Sequence, residues 1–133
     1  MEFEMGKRWL RRARTIDLMI WEKEKEIEAY ETCLEGAGVN YDRVAVMTSA
    51  ENRFEGVMCD IAECFEAIKE LNIRKMNILR EINEKLDELG DCPERYILRA
   101  FYVNGMKMSE IAKKVNYDEN YCYELRRKGI EKL

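Results

Sequence analysis

Residues 97–133 read ILRAFYVNGMKMSEIAKKVNYDENYCYELRRKGIEKL, and this stretch decides the fold. Ser109-Glu110-Ile111-Ala112 opens a short helix in which Ile111, Ala112 and Val115 share one face. After Asn116-Tyr117-Asp118 a second run places Cys122, Leu125, Gly129 and Leu133 on a common side. Spacings of three and four are the helical period. The corner between the runs is chemically specific. It needs a residue that tolerates positive φ, and Asn is the best choice after Gly. Asp118 stands where the next helix wants an N-cap acceptor. Two short helices, a three-residue corner and a cap predict a helix-turn-helix.

Working back from this stretch, Glu94–Val103 carries Ile97, Leu98, Phe101 and Tyr102, the expected third side of a small triangular core. Asn104-Gly105 is a turn signal, and Pro93 suits a first helical turn after Gly90 closes the preceding helix. That preceding helix is predicted to be long, from Thr48 to Leu89, opened by the capping box Thr48-Ser49-Ala50-Glu51. Phe54, Met58, Ile61, Phe65, Ile68, Asn72, Lys75, Leu79, Ile82, Leu86 and Leu89 keep a four-three spacing, broadened by Val57, Cys64, Leu71 and Ile78. Asn72 and Lys75 are polar interruptions of this seam, which either set register or lie exposed. Val39–Met47 is expected to be a connector, with Val44 and Val46 alternating as in a short extended piece and Tyr41 and Asp42 as a packed aromatic and a turn acid.

Residues 1–35 are expected to form one helix ending at Gly36-Ala37-Gly38. Ala13, Ile16, Ile20, Ile27, Tyr30 and Leu34 form its seam, interrupted by Lys23. A long helix cannot bury its stripe alone, so the two are predicted to pair antiparallel. The expected class is all-α. Residues 1–90 form a long coiled-coil-like helical hairpin, and residues 91–133 a small helix-turn-helix module.

Resemblance supports the same division. Glu110-Ile111-Ala112, Val115, the corner, Asp118 and the Cys122/Leu125 pair resemble the C-terminal helix-turn-helix of sigma-factor region 4. The whole chain resembles the phage and prophage late-operon transcription regulators of the RinA/ArpU kind, in the ending Tyr121–Leu133 and in Tyr41-Asp42 with Thr48-Ser49. The resemblance implies a protein encoded by a phage or prophage, acting on late genes in the bacterial cytoplasm.

Composition bounds the chemistry. No histidine is present, which removes the usual general base and the usual catalytic triad. No Gly-rich phosphate loop appears, and the chain is not expected to be an enzyme or to need a cofactor. Cys33, Cys59, Cys64, Cys92 and Cys122 lack metal-site spacing and are expected to be reduced, mostly buried thiols. No run is long and apolar enough for a membrane span, and charges among the first fifteen residues argue against a signal peptide.

The net charge of −4 is unevenly spread. Residues 1–93 hold 14 cations and 21 acids, whereas residues 94–133 hold 9 and 6. The positive balance sits on the expected phosphate-facing module. On the final helix, Asn120, Tyr123, Glu124, Arg127 and Lys128 are the expected base-reading residues, with Glu119 beside them. Asn suits adenine, Arg guanine, and Glu can accept from cytosine. Lys113, Lys114, Tyr121, Arg126 and Lys132 are expected on the phosphate backbone. Double-stranded DNA is the expected partner, and the modest charge favours a homo-oligomer. The alternative is a helical-hairpin protein that docks RNA polymerase, or a small-terminase-like packaging protein. The cluster Lys7, Arg8, Arg11, Arg12 and Arg14 is either a second nucleic-acid contact or a solvated face.

Overall fold

Runs of good helix formers, interrupted by a single proline, produce regular structure that is entirely helical among the described residues. The computed structural model describes residues 1–37 and 44–133, with side chains described for 1–35 and 52–133. Tyr41 and Asp42 lie outside the described residues, as do the side chains of the Thr48–Glu51 capping box. The helices are α1 (Phe3–Leu10), α2 (Arg12–Ala37), α3 (Val44–Asp87), α4 (Pro93–Leu98), α5 (Met108–Val115) and α6 (Glu119–Lys132). Immediately after α4 the chain continues as a π-helical turn, Arg99–Val103.

Two boundaries differ from expectation. The first 35 residues are divided at Arg11, where φ is −79° and ψ is −3°. The Arg11 N–H still donates to the Lys7 carbonyl at 3.0 Å, and the Thr15 N–H to the Arg11 carbonyl at 3.1 Å. The division is therefore an offset within a nearly continuous helix. The second difference is that α3 begins at Val44, so Val44 and Val46 are helical rather than extended and the Thr48 box lies inside the helix. Residues 44–47 contain neither Gly nor Pro, so nothing stops the helix from extending backwards past the box.

The chain divides into two compact units. One comprises residues 16–74. Within it Ile27, Ile61 and Cys64 are buried together, and Tyr30, Leu34, Val57 and Ile68 pack against them. The α2 seam lies where its spacing puts it: Ile16 and Ile27 are buried, and Ile20, Lys23, Tyr30 and Leu34 are half-buried. The α3 seam is rotated from the expected one. Phe54, Met58 and Phe65 are exposed, Phe65 by 56%. Asn72 is exposed too. The buried line instead runs through Val57, Ile61, Cys64, Ile68 and Leu71. This is the same heptad period turned toward the flank of Val57, Cys64 and Leu71.

The other unit comprises residues 1–15 and 75–133, and the expected boundary at residues 90/91 falls inside it. It holds two cores. Ile97, Met108, Ile111, Ala112, Cys122 and Leu125 form the first, joined by Phe101 and Val115. Leu10, Ile82, Leu86, Leu98 and Ile130 form the second, all with no exposed surface. α4 lies between them, with Ile97 facing one and Leu98 the other. Arg99 ties its end to α3, donating from Nε to Asn83 at 3.2 Å and from its terminal nitrogen to Asp87 at 2.6 Å.

Of the five thiols, Cys64 and Cys122 are buried, Cys92 is half-buried, and Cys33 and Cys59 are exposed. The expectation of mostly buried cysteines therefore fails for the two that sit on the outer faces of α2 and α3. No described helix is long and apolar enough to cross a membrane.

Candidate nucleic-acid interface

The site is built around the corner between α5 and α6. Asn116 takes φ 61° and ψ 42°, and among the described residues it is the one non-glycine with positive φ. The Tyr117 N–H donates to the Ala112 carbonyl at 3.1 Å, closing the end of α5. This left-handed stop is the conformation for which Asn is chosen. Asp118 is the N-cap of α6, in extended conformation, but its side chain makes no capping hydrogen bond. The Tyr117 and Tyr121 rings instead meet edge to face at 5.4 Å across the corner.

Beyond the corner, α6 is held from two sides. Cys122 and Leu125 enter the core shared with α5 and α4. Gly129 lies against α4, and Ile130 against α1. The approach of α1 is close: a Cβ at Gly6 would collide with Ile130 Cγ2. This contact was not expected, and Ile130 takes the buried place expected of Leu133. Leu133 is half-buried and packs against the second core. A signal was available, because Phe3, Gly6 and Leu10 continue the α2 seam toward the N-terminus at spacings of three and four.

The expected base-reading residues Asn120, Tyr123, Glu124, Arg127 and Lys128 are all exposed. At 100° per residue, Asn120, Glu124 and Arg127 cluster on one outward face, with Lys128 and Tyr123 at its two edges. Arg127 is not wholly free, because its guanidinium lies 4.7 Å from the Phe3 ring centre and 3.8 Å from Glu131.

The expected backbone contacts divide into two groups. Lys113 and Lys114 at the end of α5, and Tyr121, are exposed, and among the described residues neither lysine is in an ion pair. Arg126 and Lys132 are occupied. Arg126 is half-buried among Phe3, Phe101 and Tyr123, with ring centres 5.6, 5.5 and 5.3 Å from its guanidinium. Lys132 donates to the Glu94 carboxylate at 3.1 Å. Its own backbone N–H first, and then Lys132, hold Glu94 below the ordinary carboxylate range despite burial.

Charge follows the two units. The unit containing α6 carries 17 cations against 13 acids, and residues 16–74 carry 6 against 14. The α6 unit is thus +4 and the other −8, which accounts for the chain's −4. Placing residues 1–15 with the α6 unit makes it more basic than residues 94–133 alone.

No curated protein and no solved structure matches the chain. A family model described as a protein of unknown function (DUF1492) matches residues 39–133, which include α3 through α6 and the entire corner. The chain belongs to the DUF1492 family.

Proposed function

We propose that the chain is a sequence-specific, double-stranded-DNA-binding regulator of transcription, and not an enzyme. In this reading α5, the corner and α6 form a sigma region 4-like helix-turn-helix whose final helix enters the major groove. The α2–α3 pair forms the antiparallel hairpin that carries it. The observation that supports this reading best is the division of α6. Cys122, Leu125, Gly129 and Ile130 are locked into two cores, while Asn120, Glu124 and Arg127 share one exposed face. Those side chains supply the donors and acceptors that tell base pairs apart in the major groove. The resemblance to regulators of the RinA/ArpU kind adds a phage or prophage source, late genes as targets and the bacterial cytoplasm as the place of action. Exposed Phe54, Met58 and Phe65 on α3, with Leu18 and Trp21 on α2, support a homo-oligomer.

Binding of each variant across a randomised duplex library tests the reading. Arg127→Ala is expected to flatten preference at one or two base pairs, worth ~1–3 kcal/mol of discrimination. Lys114→Ala is expected to weaken all sequences alike. Uniform, equal losses from both variants would remove Arg127 from base reading. A second reading, docking of a protein such as RNA polymerase, is favoured by one observation. A groove of about 290 Å³ between α4 and α5 is lined by Ala100, Met106, Ile111 and Val115, with Lys114 among its lining residues. Retained polymerase capture with no duplex affinity would select it.

A further inference from the structure

The N-terminal cations are not equivalent once folded. Lys7 is taken by Glu4 at 3.0 Å, and Arg12 by Glu81 at 3.2 Å. The nearby acid Glu2 accepts from the N–H groups of Glu4 and Met5. Arg8, Arg11 and Arg14 are exposed and recur every third residue, and among the described residues none is in an ion pair with a carboxylate. Three-residue spacing keeps them on one side of the helix.

Their position relative to α6 follows from packing. The close contact of Gly6 with Ile130 and the burial of Leu10 hold α1 against α6 and α3. The Phe3 ring lies beside both Arg126 and Arg127. The Tyr102 hydroxyl and the Arg126 Nε are buried at this joint without a well-aligned hydrogen-bond partner. Burial pushes the Tyr102 phenol up, and the positive charges of Arg126, Arg11 and Arg14 oppose that shift. The N-terminal segment that carries Arg11 and Arg14 therefore meets α6 at one joint, where Phe3 lies beside Arg126 and Arg127.

We infer that Arg11 and Arg14 form a second phosphate-binding patch that holds the backbone of a DNA duplex lying on α6. The inference rests on the proposed DNA-binding reading and extends it to a segment outside the α5–α6 module. Guanidinium forks suit phosphate oxygens, and Arg11 and Arg14 are both exposed. The patch also accounts for how a module of modest charge gathers enough phosphate contacts to bind.

The test uses the full chain, a mixed-sequence DNA duplex and a series of salt concentrations. Each neutralised phosphate contributes about 0.9 to the slope of log affinity against log salt. The double variant Arg11→Gln/Arg14→Gln is expected to reduce that slope by about two while leaving the base preference in a randomised library unchanged. Arg11→Lys/Arg14→Lys is expected to keep the slope, and Lys7→Gln, already paired with Glu4, is expected to leave it unaltered. A wild-type slope in the double glutamine variant, with Lys114→Ala still reducing it, would overturn the patch and leave the α6 reading standing. No duplex binding by the wild-type chain would overturn both. Tighter binding of an RNA duplex of the same length would overturn the patch as a DNA site, and so would an equal loss of slope from Lys7→Gln. Circular dichroism melts of each variant show that lost affinity is not lost fold.

Discussion

Gly129 and Leu98 approach so closely that a Cβ on residue 129 would stand 2.8 Å from Leu98 Cδ1 and 3.0 Å from Glu94 Cβ. Leu98 has no exposed surface and lies in the core between α3, α1 and α6, so its methyl group has nowhere to move. Here helix propensity and packing oppose each other. Ala in place of Gly gains about 0.8–1.0 kcal/mol in a helix interior. Overpacking a closed core costs about 1–3 kcal/mol. Packing wins. Gly129→Ala is expected to lower the melting temperature, with a net loss of about 1 kcal/mol. Gly56→Ala is the converse case, since a Cβ there meets nothing within 4 Å. It should stabilise by about 0.5–1 kcal/mol. Equal shifts from the two variants in a thermal melt would show that the α4–α6 contact is looser than described.

The rotated seam of α3 gives a second expectation. Phe65 is 56% exposed, whereas Leu86 has no exposed surface. Phe65→Ala should therefore change stability by no more than about 0.5 kcal/mol, and Leu86→Ala should cost about 2–5 kcal/mol. The comparison inverts what side-chain size alone would suggest. A large loss from Phe65→Ala at micromolar concentration that vanishes on dilution would assign the ring to an interface between copies.

Acid titrates the α4–α6 contact through Glu94. Its carboxyl is held below the ordinary value of 4.5 by its own backbone N–H and by Lys132. A lowered folded-state pKa stabilises the fold above the unfolded value, and that contribution disappears as pH falls through the folded value. Half-exposure of the Lys132 end screens the pair, so the contribution is about 1 kcal/mol at neutral pH. Glu94→Gln should lower the melting temperature at pH 7, and its gap from wild type should close below about pH 4.5. A gap that stays constant down to pH 3 would mean that the lost packing, and not the charge, sets the difference.

Much of this arrangement was legible in the residues. The position of the α5–α6 corner follows from Asn116, because few other residues accept a left-handed backbone without a penalty. The start of α4 follows from Pro93, which lacks the N–H that a first turn leaves unused. The burial of Cys122, Leu125 and Gly129 follows from helical spacing. The exposed set on α6 follows by subtraction, since a helix with one face in a core shows its opposite face to water.

Only tertiary structure could decide the rest. On α3 two apolar columns, one through Phe54, Met58 and Phe65 and one through Val57, Cys64 and Leu71, share the line Ile61–Ile68. Periodicity fits either flank, and the neighbouring helix picks Val57, Cys64 and Leu71. The fates of Arg126 and Lys132 were equally hidden. Helical spacing places both at the edge of the buried face, but whether such a cation stays free or meets an aromatic ring or a carboxylate depends on residues such as Glu94, 38 positions from Lys132, and Phe3, at the other end of the chain from Arg126. Phe3 and Glu94 reach α6 only because Gly6 and Gly129 have no side chain to hold α1 and α4 away. The amino-acid order alone therefore determined the helices, the corner and the outward face of α6. The three-dimensional packing decided which apolar flank is buried and which cations stay available, because both depend on contacts between segments that only folding brings together.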